Sequence, residues 1–143
     1  MVLIEMSHTF EIIKSWETSS AFFQLRADRI LLMQQKENTS LELVGAEENT
    51  ISVIRNVGNT EKFPMIVELE PSSTFNHEAR DHARQVQNWV PISAVAIITS
   101  DRKKRLLAAF YNVIRQPEVP YKVFETNLEA LHWVKSFMQT EVH

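Results

Sequence analysis

Apolar positions along this chain follow two periods, and the sharpest change between them falls in residues 63–100. FPMIVELE (63–70) and ISAVAIITS (92–100) carry nearly continuous apolar, β-branched runs, the pattern of strands covered on both faces in a parallel sheet. Parallel neighbours need a crossover, and NHEARDHARQVQN (76–88) supplies one. Its Ala79, Ala83 and Val86 fall at i, i+4 and i+7, so one narrow face of small residues turns inward and the helix is expected to lie close to the sheet. Asn76 is a competent N-cap, and Glu78 places an acid in the first turn, where the helix dipole favours it.

The remaining elements follow in chain order. Residues 1–20 form a poorly defined N-terminal extension, in which Phe10 and Ile12 alternate with polar neighbours as in an edge strand, although helical spacing also fits. Residues 22–26 and 30–34 read as an antiparallel hairpin about Ala27, Asp28 and Arg29, a turn without glycine. After a polar loop (36–40), Ala46, Thr50 or Ile51, Ile54 and Val57 recur at helical spacing, and Gly58 stands where a helix ends. Beyond the second central strand, Asp101 is placed to cap a helix with the stripe Leu106, Leu107, Phe110, Val113 and Ile114, which Pro117 and Pro120 end. A short strand (121–125) then leads to a last helix capped by Asn127. Ala130, Leu131, Val134, Phe137 and Met138 are its buried face, with Trp133 on the shoulder. The expected fold is α/β: one domain over 1–143, a mainly parallel β-sheet with packed helices, and an antiparallel N-terminal hairpin.

Composition removes several function classes. The 143 residues include no cysteine, which excludes disulfides, thiolate nucleophiles and zinc-thiolate sites. Gly45 and Gly58 are the only glycines, too few for a phosphate-cradling GxxxxGK or GxGxxG loop. A net charge of -3 argues against general nucleic-acid binding. No apolar run approaches the roughly 20 residues that span a bilayer, and the first residues lack a basic, then long apolar, leader. The expectation is a soluble, cytoplasmic protein.

Three stretches carry a family resemblance: FPMIVELEPSSTFNHEARDHA, AVAIITSDRKKRLLAAFYNVI and VPYKVFETNLEALHWVKSF. Over residues 22–139 the chain resembles the STAS domain, the fold of bacterial anti-sigma-factor antagonists. It resembles more closely the SpoIIAA-like, STAS/SEC14-type bacterial domains. In the antagonists a phosphorylatable serine lies in an Asp-Ser-Ser-Gly run at the start of the helix after this strand. Here Asn76, His77, Glu78 and Ala79 hold those positions, and no hydroxyl occurs between Phe75 and Arg84. The resemblance thus implies a domain without the usual phosphoacceptor. Ser72, Ser73 and Thr74, in the loop upstream, are the substitutes available for modification.

The remaining constellations are weighed against plainer readings. His77, Glu78 and His82 evoke a zincin, but HEARDH sets its histidines about 140° apart on a helix, not on one face as HExxH does. No metal or other cofactor is expected, and His82, on the face of Ala79 and Val86, reads as half-buried. Arg80 on the open face and Asp81 with Arg84 read as a solvated charged surface which, with Asn76, His77 and Glu78, is the candidate partner-binding set. Arg102, Lys103, Lys104 and Arg105 crowd cations into a helix's first turn. They read either as a solvated basic turn or as an anion site beyond a strand's carboxyl end. Trp16, Trp89 and Trp133 are core or interface residues, with Trp89 the one expected to be exposed. No triad or nucleophile elbow is legible.

The expectation is therefore a non-enzymatic, STAS-like domain acting on an unidentified protein partner. The alternative is a binder of a small lipophilic or anionic ligand, since SEC14-type relatives hold lipids; that alternative requires an apolar pocket. A homodimer is also expected, from the apolar Val2, Leu3, Ile4, Phe10, Ile12 and Trp16 at the chain's margin.

Overall fold

The computed structural model describes residues 11–86, 90–102 and 119–139, without the side chains of Arg84 and Gln139. Outside it lie Val2, Leu3, Ile4, Phe10, Trp89, Lys103, Lys104 and Arg105, and the helical stripe predicted over 106–114. The elements are β1 (Ile12–Glu17), β2 (Ala21–Arg26), β3 (Leu31–Gln35), β4 (Ser40–Leu41), α1 (Leu43–Val57), β5 (Phe63–Glu68), β6 (Thr74–Phe75), α2 (His77–Gln85), β7 (Ile92–Ile98), β8 (Tyr121–Phe124) and α3 (Asn127–Gln139).

Six strands form one sheet in the order β1-β2-β3-β5-β7-β8. β1, β2 and β3 form an antiparallel meander, whereas β3, β5, β7 and β8 run parallel. The hairpin turn manages without glycine because Arg29 takes φ 72°, with its N–H donating to the Arg26 carbonyl at 3.0 Å. Pro64 lies in the central strand β5, where a missing N–H would normally break a ladder. It is tolerated because β5 shifts register against β7 between Phe63 and Pro64, and because pairing with β3 begins only at Met65.

The sheet buries both faces. On one, α3 sets Ala130 and Val134 against Ile30, Leu32, Ile66, Ala96 and Ile98. On the other, Val53 of α1 packs over Phe23, Leu25, Leu31, Phe63 and Met65. Each such large side chain contributes roughly 1.5–3 kcal/mol on burial. In α1, Ala46 is buried as read from the sequence, and of the alternatives Thr50 or Ile51 the first is half-buried and the second 49% exposed. Beside Ala46 the helix also buries Asn49 and Val53, and Thr18 and Ser20 offer Asn49 hydroxyl partners at 2.5 and 3.0 Å. α3 is capped by Thr126 and not by Asn127. Thr126 Oγ1 accepts the Glu129 N–H at 3.3 Å, the N-cap bond, and donates to the Glu129 carboxylate at 2.7 Å.

The largest departure from expectation concerns α2. It packs on α1 far more closely than on any strand. His82 Nε2 lies 3.0 Å from Thr50 Oγ1, and of the small face read from the sequence Ala79 and Val86 are buried while Ala83 is exposed, so the face does not close onto the sheet. A cavity of about 350 Å³ lies between that face, α1 and the strands.

Candidate functional site

Two neighbouring features compete as the site: the exposed start of α2, and the cavity under it. At the helix start, Asn76 Oδ1 accepts the Ala79 N–H at 2.9 Å, the N-cap read from sequence. Asn76, His77 and Glu78 are exposed. His77 Nε2 pairs with Asp81 Oδ2 at 2.8 Å, one turn on. The structure does not bring all six candidate residues to one surface. Arg80 turns inward to line the cavity, its guanidinium 5.5 Å from the centre of the Phe75 ring, and the Arg84 side chain lies outside the description.

His77 and His82 make separate contacts, with Asp81 and Thr50. Among the described residues no cluster of three metal-ligating side chains occurs. His82 is half-buried, as its face on the helix predicts. Of the basic run, Arg102 is exposed, and Lys103, Lys104 and Arg105 lie outside the described residues.

The loop before α2 shows which hydroxyls are open to modification. Ser73 is completely buried; its hydroxyl donates to the Lys36 carbonyl at 2.5 Å and accepts the Thr39 N–H at 2.9 Å. Ser72 and Thr74 are exposed. Ser72 Oγ accepts the Asn38 N–H at 2.9 Å, and Thr74 lies in β6, which pairs with β4. Ser73 is thus a strut between two loops, a role that the Ser-Ser-Thr string does not reveal.

The cavity runs from β3, at Met33, past Met65 and Val67 to Ile97 of β7, and is roofed by α1 and α2. Its few polar groups are mostly engaged. Ser20 and Asn49 bond each other, Thr50 meets His82, and Gln35 spans the Thr74 carbonyl and the Glu70 N–H. Arg80 differs, because its Nε is buried and has no hydrogen-bond partner among the described residues. Sequence reading named Arg80 but placed it in solvent. Helical period alone sets it beside Ala79, and only the stand-off of α2 from the sheet opens space for it.

Residues 23–138 match the family described as Domain of unknown function (DUF7793). No curated protein matches the chain. Among solved structures, an uncharacterised protein of the DUF3478 family from Shewanella loihica PV-4, described as having a SpoIIAA-like fold, superposes with a TM-score of 0.52. The two are 17% identical, and the match covers 87% of this chain and 94% of that one. The likeness expected from FPMIVELEPSSTFNHEARDHA and its companion stretches is therefore one of fold. On a match spanning most of its length, the chain belongs to the DUF7793 family, and its architecture is SpoIIAA-like.

Proposed function

We propose that this is a non-catalytic, STAS-like binding domain whose ligand is a small lipophilic molecule held between α2, α1 and the sheet. The observation that carries the reading is the cavity, about 350 Å³ and lined chiefly by apolar side chains. It falls at the lower end of the roughly 300–1,000 Å³ found for ligand pockets. The cleft is open on one side and its lining is chiefly apolar, so an apolar occupant would release the water held against that surface. That argues for an occupant. The non-catalytic part rests on the sequence, which offers no cysteine and no nucleophile elbow. Native mass spectrometry of the protein purified from its own cells tests the proposal, with a retained lipophilic adduct as the expected result. Bare protein that also fails to take up dodecanol would refute it, and would mean that the chain's own side chains close the space.

A second reading, contact with a protein partner, is favoured by the exposed start of α2. There Glu78 holds one permanent negative charge in the favourable field of the dipole, where the resembling antagonists carry a phosphoserine. A photo-crosslinker replacing His77 in living cells should then capture a protein, and Glu78→Ala should abolish the capture. Labelling that ignores Glu78→Ala would remove this reading.

A further inference from the structure

Arg80 is the only cation among the described residues that line the cavity, and no described carboxylate lines it. No described acidic side chain pairs with Arg80. Its guanidinium rests near the face of Phe75, and its Nε–H is buried without an acceptor. Arg80 as a whole is half-buried, but the buried Nε–H is a donor left unmet, which an acceptor on a ligand would satisfy. Its planar fork matches a carboxylate through two parallel N–H···O bonds. Arg80 stands next to Ala79 and one turn before Ala83, which also line the cavity, so an acid group at Arg80 can extend its tail directly under α2.

We infer that the ligand is a single-chain amphiphile with a carboxylate head: a medium-chain fatty acid, its head on Arg80 and its tail among Met65, Val67 and Ile97. The inference rests on the lipophilic-ligand reading above and adds the head group and the residue that selects it. The volume sets the length. At about 30 Å³ for each water-sized group, 350 Å³ holds about a dozen heavy atoms, the twelve carbons of dodecanoate with its two carboxylate oxygens left at the half-buried Arg80. Among the other polar groups of the lining, His82, Thr50, Asn49, Ser20 and Gln35 are occupied by protein partners.

The test compares dodecanoate with dodecanol on the delipidated full chain at neutral pH, by calorimetry, and repeats both titrations with Arg80→Met and Arg80→Lys. Dodecanoate should bind about ten- to a hundredfold more tightly than dodecanol, the increment of a charge-assisted hydrogen bond. Arg80→Met should erase that preference while dodecanol still binds, and Arg80→Lys should retain part of it. Equal affinity of acid and alcohol for the unaltered protein would overturn the inference and leave the lipophilic cavity standing. Failure of both to bind would overturn the cavity reading itself. The wild-type comparison decides the matter even where a variant does not fold.

Discussion

His82 Nε2 and Thr50 Oγ1 lie 3.0 Å apart and tie α2 to α1 along the cavity wall. The Thr50 hydroxyl gives its single hydrogen to the Ala46 carbonyl at 3.1 Å, so the imidazole Nε2–H is the donor in this pair. Thr50→Val removes the acceptor and leaves that N–H half-buried. The expected loss is about 1 kcal/mol in urea unfolding, and a smaller one when His82→Phe removes the donor as well. Strictly additive losses would show the two residues to be uncoupled.

The two loops flanking β4 and β6 depend on Ser73. Ser73→Ala withdraws a donor from the Lys36 carbonyl and an acceptor from the Thr39 N–H in a fully buried position, and should cost roughly 1–3 kcal/mol. Ser72→Ala, at an exposed site, should stay within about 0.5 kcal/mol. The same burial bears on modification. Intact-mass measurement of protein from its native cells, repeated across growth conditions, should find no phosphate on Ser73. If the domain stands outside a phosphorylation cycle, Ser72 and Thr74 should also be unmodified, and stoichiometric phosphate on either would restore a switch.

At the start of α3 the structure separates two adjacent residues that look equally fit to cap it. Thr126→Ala should lower stability by about 1 kcal/mol, because it removes both hydrogen bonds with Glu129. Asn127→Ala, in the first helical turn, should be close to neutral. Thermal unfolding of the two variants side by side checks the assignment, and the reverse order would contradict it.

Self-association is expected through the hairpin edge. Among the described residues β1 ends the sheet, Ile13 on it is 56% exposed, and Phe22 on its neighbour is 37% exposed. Trp16, by contrast, stacks on Phe23 at 5.2 Å and is half-buried, as is Ile12, so neither is the bare surface that the apolar count suggests. Light scattering at micromolar concentration should give the mass of a dimer, and Ile13→Lys should shift it to a monomer. A monomer without the substitution would exclude this association.

Local pattern alone determined the order of the main-sheet strands and of the three described helices, but not the short β4–β6 pair. The runs in 63–70 and 92–100 are too apolar to be covered on one face only, so parallel pairing and crossovers follow from them. Asn76 and Gly58 mark helix ends through backbone chemistry that depends on immediate neighbours. What the tertiary structure decided is what depends on distances between elements. Periodicity did not foretell that Asn49 would be buried in α1 and Ile51 exposed, because the partners of Asn49 are Thr18 and Ser20, far away in sequence. Nor did the small face of α2 report its own separation from the sheet. Ala79, Ala83 and Val86 would suit close packing equally well, but α2 rests on α1 through His82 and Thr50. That stand-off opens the cavity and leaves Arg80 half-buried along its wall. A residue's period places it on a face; the supports of the helix, drawn from the rest of the chain, determine what that face meets.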